Sequence, residues 1–171
     1  MWRYGEVLLP LPRNVRRIDV TSGSAPAEEV RYLSASGGTL YSDGAEKIFI
    51  WRTRQHQVEL FDFHIRNQEA NDAVVISFPR HVQVLPQVAV VETERGIAFC
   101  IATQASFHLV EMNDVPGTSI LSDLTISSFN KSFHVFKSPI SIVSSHIAID
   151  PESASAVIVV SAKNSPTYTY W

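Results

Sequence analysis

Three segments of the chain share one plan, and that repetition limits the available architectures more than any single motif does. TLYSDGAEKIFIWRTRQHQVELFDF starts at Thr39, VAVVETERGIAFCIATQASFHLVEM at Val88 and IAIDPESASAVIVVSAKNSPTYTYW at Ile147. Each reads as strand, acidic turn, strongly apolar strand, polar turn, amphipathic strand. From first to middle strand the steps are Leu40 to Ile48, Val88 to Ile97 and Ile147 to Val157, or 8, 9 and 10 residues. From middle to third strand they are Ile48 to Val58, Ile97 to Phe107 and Val157 to Tyr168, or 10, 10 and 11. Middle strands recur after 49 and then 60 residues, a little above the roughly 40 to 50 residues of common propeller blades.

The local pattern agrees with an all-β fold. Apolar residues come in short alternating or continuous runs rich in Val, Ile and aromatics, broken by Gly, Asp, Asn, Ser and Pro. The runs predict strands over 39–41, 47–52, 57–65, 73–78, 87–92, 97–103, 106–112, 119–126, 133–136, 146–149, 156–161 and 167–171. Residues 20–30 read as an exposed connection, with one helical turn open to AEEVRYL, and NDVPGT at 113–118 reads as a loop. IAFCIAT is apolar on both faces, so both faces of its sheet must be covered. Blades stacked around an axis do this, whereas a sandwich leaves an outer face wet. VELFDF interleaves Glu59 and Asp62 with apolar residues, which predicts a strand nearer solvent, and AVVISF fits the outermost strand of the first unit. The fold expected is therefore all-β: a partial β-propeller of about three blades, a fragment of a larger one. Residues 1–33 form an N-terminal extension with a lead-in strand, and 34–171 the incomplete propeller. A β-sandwich with chance similarity is the competing architecture.

Composition narrows the function classes. With 171 residues, 45% hydrophobic and 18% charged, the chain is the size of one globular domain with a sizeable core. A net charge of −3 provides no field toward phosphate backbones or anionic lipid, so no direct nucleic-acid partner is expected. The basic cluster Arg13, Arg16 and Arg17 reads as a solvated segment. Cys100 is the only cysteine, which excludes an intrachain disulfide and suits a reducing compartment. No stretch reaches the roughly 18 apolar residues of a transmembrane segment. These features point to the nucleus or cytosol.

Chemistry-bearing patterns are sparse. His56, His64, His81, His108, His134 and His146 are scattered without metal-ligand spacing, and His108 and His134 read as blade-surface residues. Cys100 sits among apolar residues, where a thiol acts as a small hydrophobe. Glu92, Glu94, Asp150 and Glu152 fall at equivalent first turns, and such recurrence argues for turn chemistry. YSDGAEKIFIW faintly resembles the Asp-box of sialidase-like propellers, but Ser42 and Asp43 are adjacent and Trp51 comes late, so the match fails. No nucleophile elbow, dinucleotide fingerprint or P-loop occurs. No catalytic, cofactor-binding or metal-binding residue is expected, and no cofactor.

The order of SGGTLYSDG, IFIWR, QVELFDFHI, NDAVVISF, VLPQVAVVETERGIAFCIAT and SFHLVEM resembles the N-terminal propeller of the hundred-and-sixty-kilodalton nucleoporin family, scaffold subunits of the Y-shaped outer-ring complex of the nuclear pore. That family begins with Gly-Gly-aromatic, matched by Gly37, Gly38 and Tyr41, and continues with an I-x-x-W strand, matched by Ile48 and Trp51. A Leu-Glu-Leu-like strand corresponds to Glu59 and Leu60, and an Asn-Asn-Ala strand to Asn71, Ala73 and Phe78. A V-L-P turn leads to a strand ending in Glu-Thr, matched by Leu85, Pro86, Glu92 and Thr93. The match is close over about 34–112 and loose over 119–171.

The resemblance implies a non-enzymatic scaffold in the pore at the nuclear envelope, partnered by other Y-complex nucleoporins and supporting mRNA export and protein import. The family's helical solenoid is not in this sequence and the repeats end at Trp171, so a truncated form is expected, poorly soluble or oligomeric because its last blade is uncovered. Two other readings stand beside it: a cytosolic β-propeller adaptor for protein interactions, unrelated to the pore, and a sugar-active or lectin-like β-domain.

Overall fold

The computed structural model describes residues 10–20, 35–41, 46–86, 88–103, 106–128, 142–150, 155–162 and 168–170. Every regular element among them is a strand. The first sheet contains β1 (Val15–Asp19), β2 (Ala35–Tyr41), β3 (Lys47–Arg54), β4 (Gln57–His64) and β5 (Glu69–Ser77), in the order β1-β5-β4-β3-β2. The second contains β6 (Ala89–Thr93), β7 (Gly96–Ala102), β8 (Phe107–Asn113) and β9 (Leu124–Ser128), in chain order. The third contains β10 (Ile142–Asp150), β11 (Ser155–Ala162) and β12 (Tyr168–Tyr170), also in chain order.

All pairings are antiparallel except β1 with β5. Each sequence repeat thus folds into one three-stranded meander: β2-β3-β4, β6-β7-β8 and β10-β11-β12. In the first two sheets a further strand, β5 or β9, pairs with the third strand of the meander.

The first two sheets pack face to face. Alternation directs Phe49 and Trp51 of β3, Val58 and Leu60 of β4, and Val74 and Ile76 of β5 into one core with Phe99 and Ile101 of β7 and Val110 and Met112 of β8. Phe99 anchors it. Its ring meets Phe49 at 6.0 Å and Trp51 at 5.8 Å between centroids, both edge-on, while Phe49 and Trp51 lie nearly parallel, the geometries aromatic quadrupoles favour. Gly38 lies opposite Trp51 in the β2–β3 register, and a Cβ there would overlap the indole ring, so the glycine makes room for the tryptophan.

The link from β5 to β6 ties the two sheets together. Phe78 N donates to His56 O at 2.8 Å and Val84 N to Gln55 O at 2.7 Å, both on the β3–β4 turn. Leu85 N then donates to Ala102 O of β7 at 2.8 Å, and Val84 bridges Thr103. Arg16 of β1 adds a clamp, its Nη2 donating to Leu121 O at 2.6 Å in the β8–β9 connection. Arg16 of the N-terminal basic cluster therefore links the two sheets, although it is exposed like Arg13 and Arg17. Beyond the second sheet, β10 lies against β6 and β7. β7 offers the small residues Ala98, Cys100 and Ala102 on its face away from the first sheet, all buried.

Four expectations are corrected. AVVISF is not an edge: β5 lies between β4 and β1, and Ala73 to Ile76 are all buried. β4 does not approach solvent either, because it is the middle strand of five, and Glu59 and Asp62 are 6% and 2% exposed. The strand expected over 119–126 runs instead from Leu124 to Ser128. Ser119 starts a turn before it, accepting from Leu121 N through Oγ and from Ser122 N through its carbonyl, and this drives Leu121 into the core. His108 is wholly buried and not on a surface. The expected connection at 20–30, beyond Val20, and the strand at 133–136 lie outside the described residues.

Candidate interaction cleft

A cleft of about 510 Å³ opens between the first two sheets at the end where β3 begins and β4 finishes. Ile48, Phe49, Ile97 and Ile120 supply its apolar surface, and Glu46, Lys47, Asp62, Glu92, Glu94 and Asp114 its charge. Five carboxylates thus face one ammonium group. The cleft exists because the β6–β7 turn and the β8–β9 connection stand opposite the start of β3.

That turn is made without its acids. Thr93 Oγ1 accepts from Arg95 N and donates to Gly96 O, both at 3.3 Å. Gly96 takes φ +148°, where a Cβ would overlap Met112 O, and Arg95 O accepts from Asp114 N at 2.7 Å. The expectation that Glu92 and Glu94 serve turn chemistry is corrected for this turn: both side chains are exposed, and neither forms a hydrogen bond or ion pair among the described residues. Glu152 and the side chain of Asp150 lie outside the described residues.

Asp62 differs from its neighbours. Strand alternation puts it on the intersheet face of β4 with Leu60 and Val58, and its side chain is 3% exposed. Its Oδ2 is buried without a hydrogen bond among the described residues. Lys47 Nζ stands 3.7 Å from Oδ2, and the same ammonium reaches Thr118 O at 3.5 Å. Across the ladder its partner is Asp72, and like charges directly opposite destabilise a sheet. Asp72 meets part of its own need by accepting from Ala73 N at 3.0 Å. Glu46 is engaged differently, pairing with Arg66 at 2.7 Å and standing 3.7 Å from His64 Nε2.

His64 Nδ1 is also buried without a hydrogen bond among the described residues, while two other polar groupings are satisfied structurally. Glu59 pairs with Arg52, whose guanidinium also lies 5.0 Å over the Phe61 ring. Thr103, Ser106, His108 and Ser128 form a hydrogen-bonded chain: Thr103 Oγ1 to Ser106 Oγ at 2.7 Å, Ser106 Oγ to His108 Nε2 at 2.9 Å, and His108 Nδ1 to Ser128 Oγ at 2.9 Å. Burial lowers the His108 pKa to about 4, so the imidazole is neutral at pH 7. A Ser–His contact of this kind can serve nucleophilic chemistry. Here the ring packs against Phe78 at 4.9 Å and Ser106 is 3% exposed, so the chain is a strut within the core.

His56 and His64 are half-buried and His81 is exposed, while His134 and the side chain of His146 lie outside the described residues. No group of three or more His, Cys, Asp and Glu among the described residues is arranged to hold a metal ion, and no helix among them is long and apolar enough to cross a membrane. Sequence reasoning missed Asp62 because VELFDF looks like a strand with a wet face. The recurrent acids of the first turns were visible, but not that Thr93 would do their expected work. No protein-family model matches the chain, and no curated protein matches it either.

Proposed function

We propose that the chain is a non-enzymatic structural scaffold of the nuclear pore, a blade-bearing part of a β-propeller in the Y-shaped outer-ring complex, and that it supports mRNA export and protein import through contacts with other nucleoporins at the nuclear envelope. The observation that carries this reading is the use to which the family-like residues are put. Gly38 makes room for Trp51, Trp51 packs on Phe99 of the next sheet, and Leu60, Ala73, Phe78 and Leu85 are buried where the sheets are built and joined. Thr93 ties the β6–β7 turn. A motif used in this way belongs to an architecture and not to a reaction, which is what a propeller scaffold requires. Three successive meanders with the same strand order are consistent with blades.

Imaging of the fluorescently tagged chain against outer-ring nucleoporins tests the proposal. A nuclear-rim signal coincident with theirs is the expected result, and a diffuse signal through cytosol and nucleus would overturn it. The cleft favours one second reading, a cytosolic propeller adaptor that captures protein segments, and that reading predicts the diffuse pattern.

A further inference from the structure

We infer that the intersheet cleft is a docking site for an extended, arginine-bearing segment of a partner protein, with Asp62 receiving the guanidinium. The acidic rim alone would not justify this, since exposed carboxylates are ordinary on a protein surface. The buried one is different. A carboxylate withdrawn from water needs hydrogen-bond donors, yet Asp62 Oδ2 has none among the described residues, faces another aspartate across the ladder, and meets its own chain's ammonium only beyond hydrogen-bond distance. It lines the cleft, so a donor can arrive from outside. A guanidinium supplies two parallel N–H donors and tolerates partial desolvation better than an ammonium, and Lys47, half exposed and held only by long contacts to Asp62 at 3.7 Å and Thr118 O at 3.5 Å, can give way toward solvent.

The surroundings select the class of ligand. Glu92, Glu94 and Asp114 on the opposite wall form no side-chain hydrogen bond or ion pair among the described residues, and no three acidic groups among those residues are arranged to hold a metal ion. Ile48, Phe49, Ile97 and Ile120 offer apolar surface between them. Carboxylates and apolar residues lining one cleft fit an extended peptide in which arginines alternate with aliphatic residues, because such a strand presents its arginines on one side and its aliphatic residues on the other. The cleft would take such a segment whether the chain works at the pore or in the cytosol.

Fluorescence anisotropy of a labelled octapeptide of alternating arginine and leucine, titrated with the full 171-residue chain, tests the inference, with an alternating glutamate and leucine octapeptide as control. Saturable binding of the arginine peptide is expected, weakened by rising salt and by about tenfold or more in Asp62→Asn, which removes one charge-assisted acceptor. Glu92→Gln combined with Glu94→Gln changes only exposed side chains, so its fold is retained. It should weaken binding by about threefold, mainly through slower association. No binding, equal binding of the glutamate peptide, or affinity unchanged in both variants would overturn the proposal. So would calcium chloride raising the melting temperature of the wild type but not of Asp62→Asn without any peptide binding, because the cleft would then be a cation site.

Discussion

His108 illustrates how burial sets the behaviour of a residue whose sequence context says little. Its pKa is lowered to about 4 in the folded chain by desolvation, against 6.5 for the exposed group. Between these values the unfolded chain binds the proton and the folded one does not, so unfolding gains as pH falls. The stabilisation is complete above about pH 6.5 and lost as pH drops to about 4, a change of roughly 3 kcal/mol. Urea unfolding at pH 7 and pH 4.5 should show most of this loss in the wild type, and His108→Asn should lack that component; equal pH sensitivity in both would contradict the account. Glu59 allows a similar argument. Arg52→Met would strand a carboxylate that is 6% exposed and should cost about 3 kcal/mol, while adding Glu59→Leu should restore much of it, because a buried pair replaced by apolar residues is often neutral. A double variant no more stable than the single one would show that the pair does not act as a unit.

At the scale of elements, the middle strands were the most legible part of the chain. The offsets from Leu40 to Ile48 to Val58 and from Val88 to Ile97 to Phe107 place β2-β3-β4 and β6-β7-β8 correctly, because turn chemistry and apolar runs recur together. The edge elements were not legible in the same way. VRRID is a charged sequence: a lead-in strand is expected within 1–33, but Arg16 and Arg17 read as part of a solvated segment, and only pairing with β5 fixes the strand at Val15–Asp19; positive charge on an edge strand also discourages pairing with another chain. SILSDLTI looks like one strand, but Ser119 and Ser122 close a turn within it. The burial of the β4 acids is hidden for a related reason, since alternation tells which residues share a face but not whether that face meets water or another sheet. Phe99 is the element-level test. It is fully buried and meets Phe49 and Trp51 across the intersheet boundary, so Phe99→Ala should cost about 3–5 kcal/mol. The loss should appear in hydrogen exchange as deprotection of β3 and β7 together; deprotection confined to the second sheet would show that the two sheets do not depend on each other.

For the whole molecule, recognisable sequence features went into construction, while the uncommitted chemistry collected in one place. The architectural residues can be read from the sequence because packing imposes period and spacing. The cleft cannot, because it arises where the β6–β7 turn and the β8–β9 connection meet the start of β3, segments far apart in the chain and linked only by the packing of two sheets. The proposed scaffold role would draw on both parts: sheets locked together by Phe99, Arg16 and the Phe78–Leu85 connection, and a cleft at which the inferred partner segment would dock.

The most direct measurement is proximity labelling in cells with the tagged chain and its Phe99→Ala variant, scored against a nuclear control protein. The account predicts enrichment of outer-ring nucleoporins for the wild type and its loss in the variant whose intersheet core is cut. A wild-type profile with no nucleoporin above the control would contradict the pore assignment, and enrichment unchanged by Phe99→Ala would contradict the claim that the packed pair of sheets carries the function.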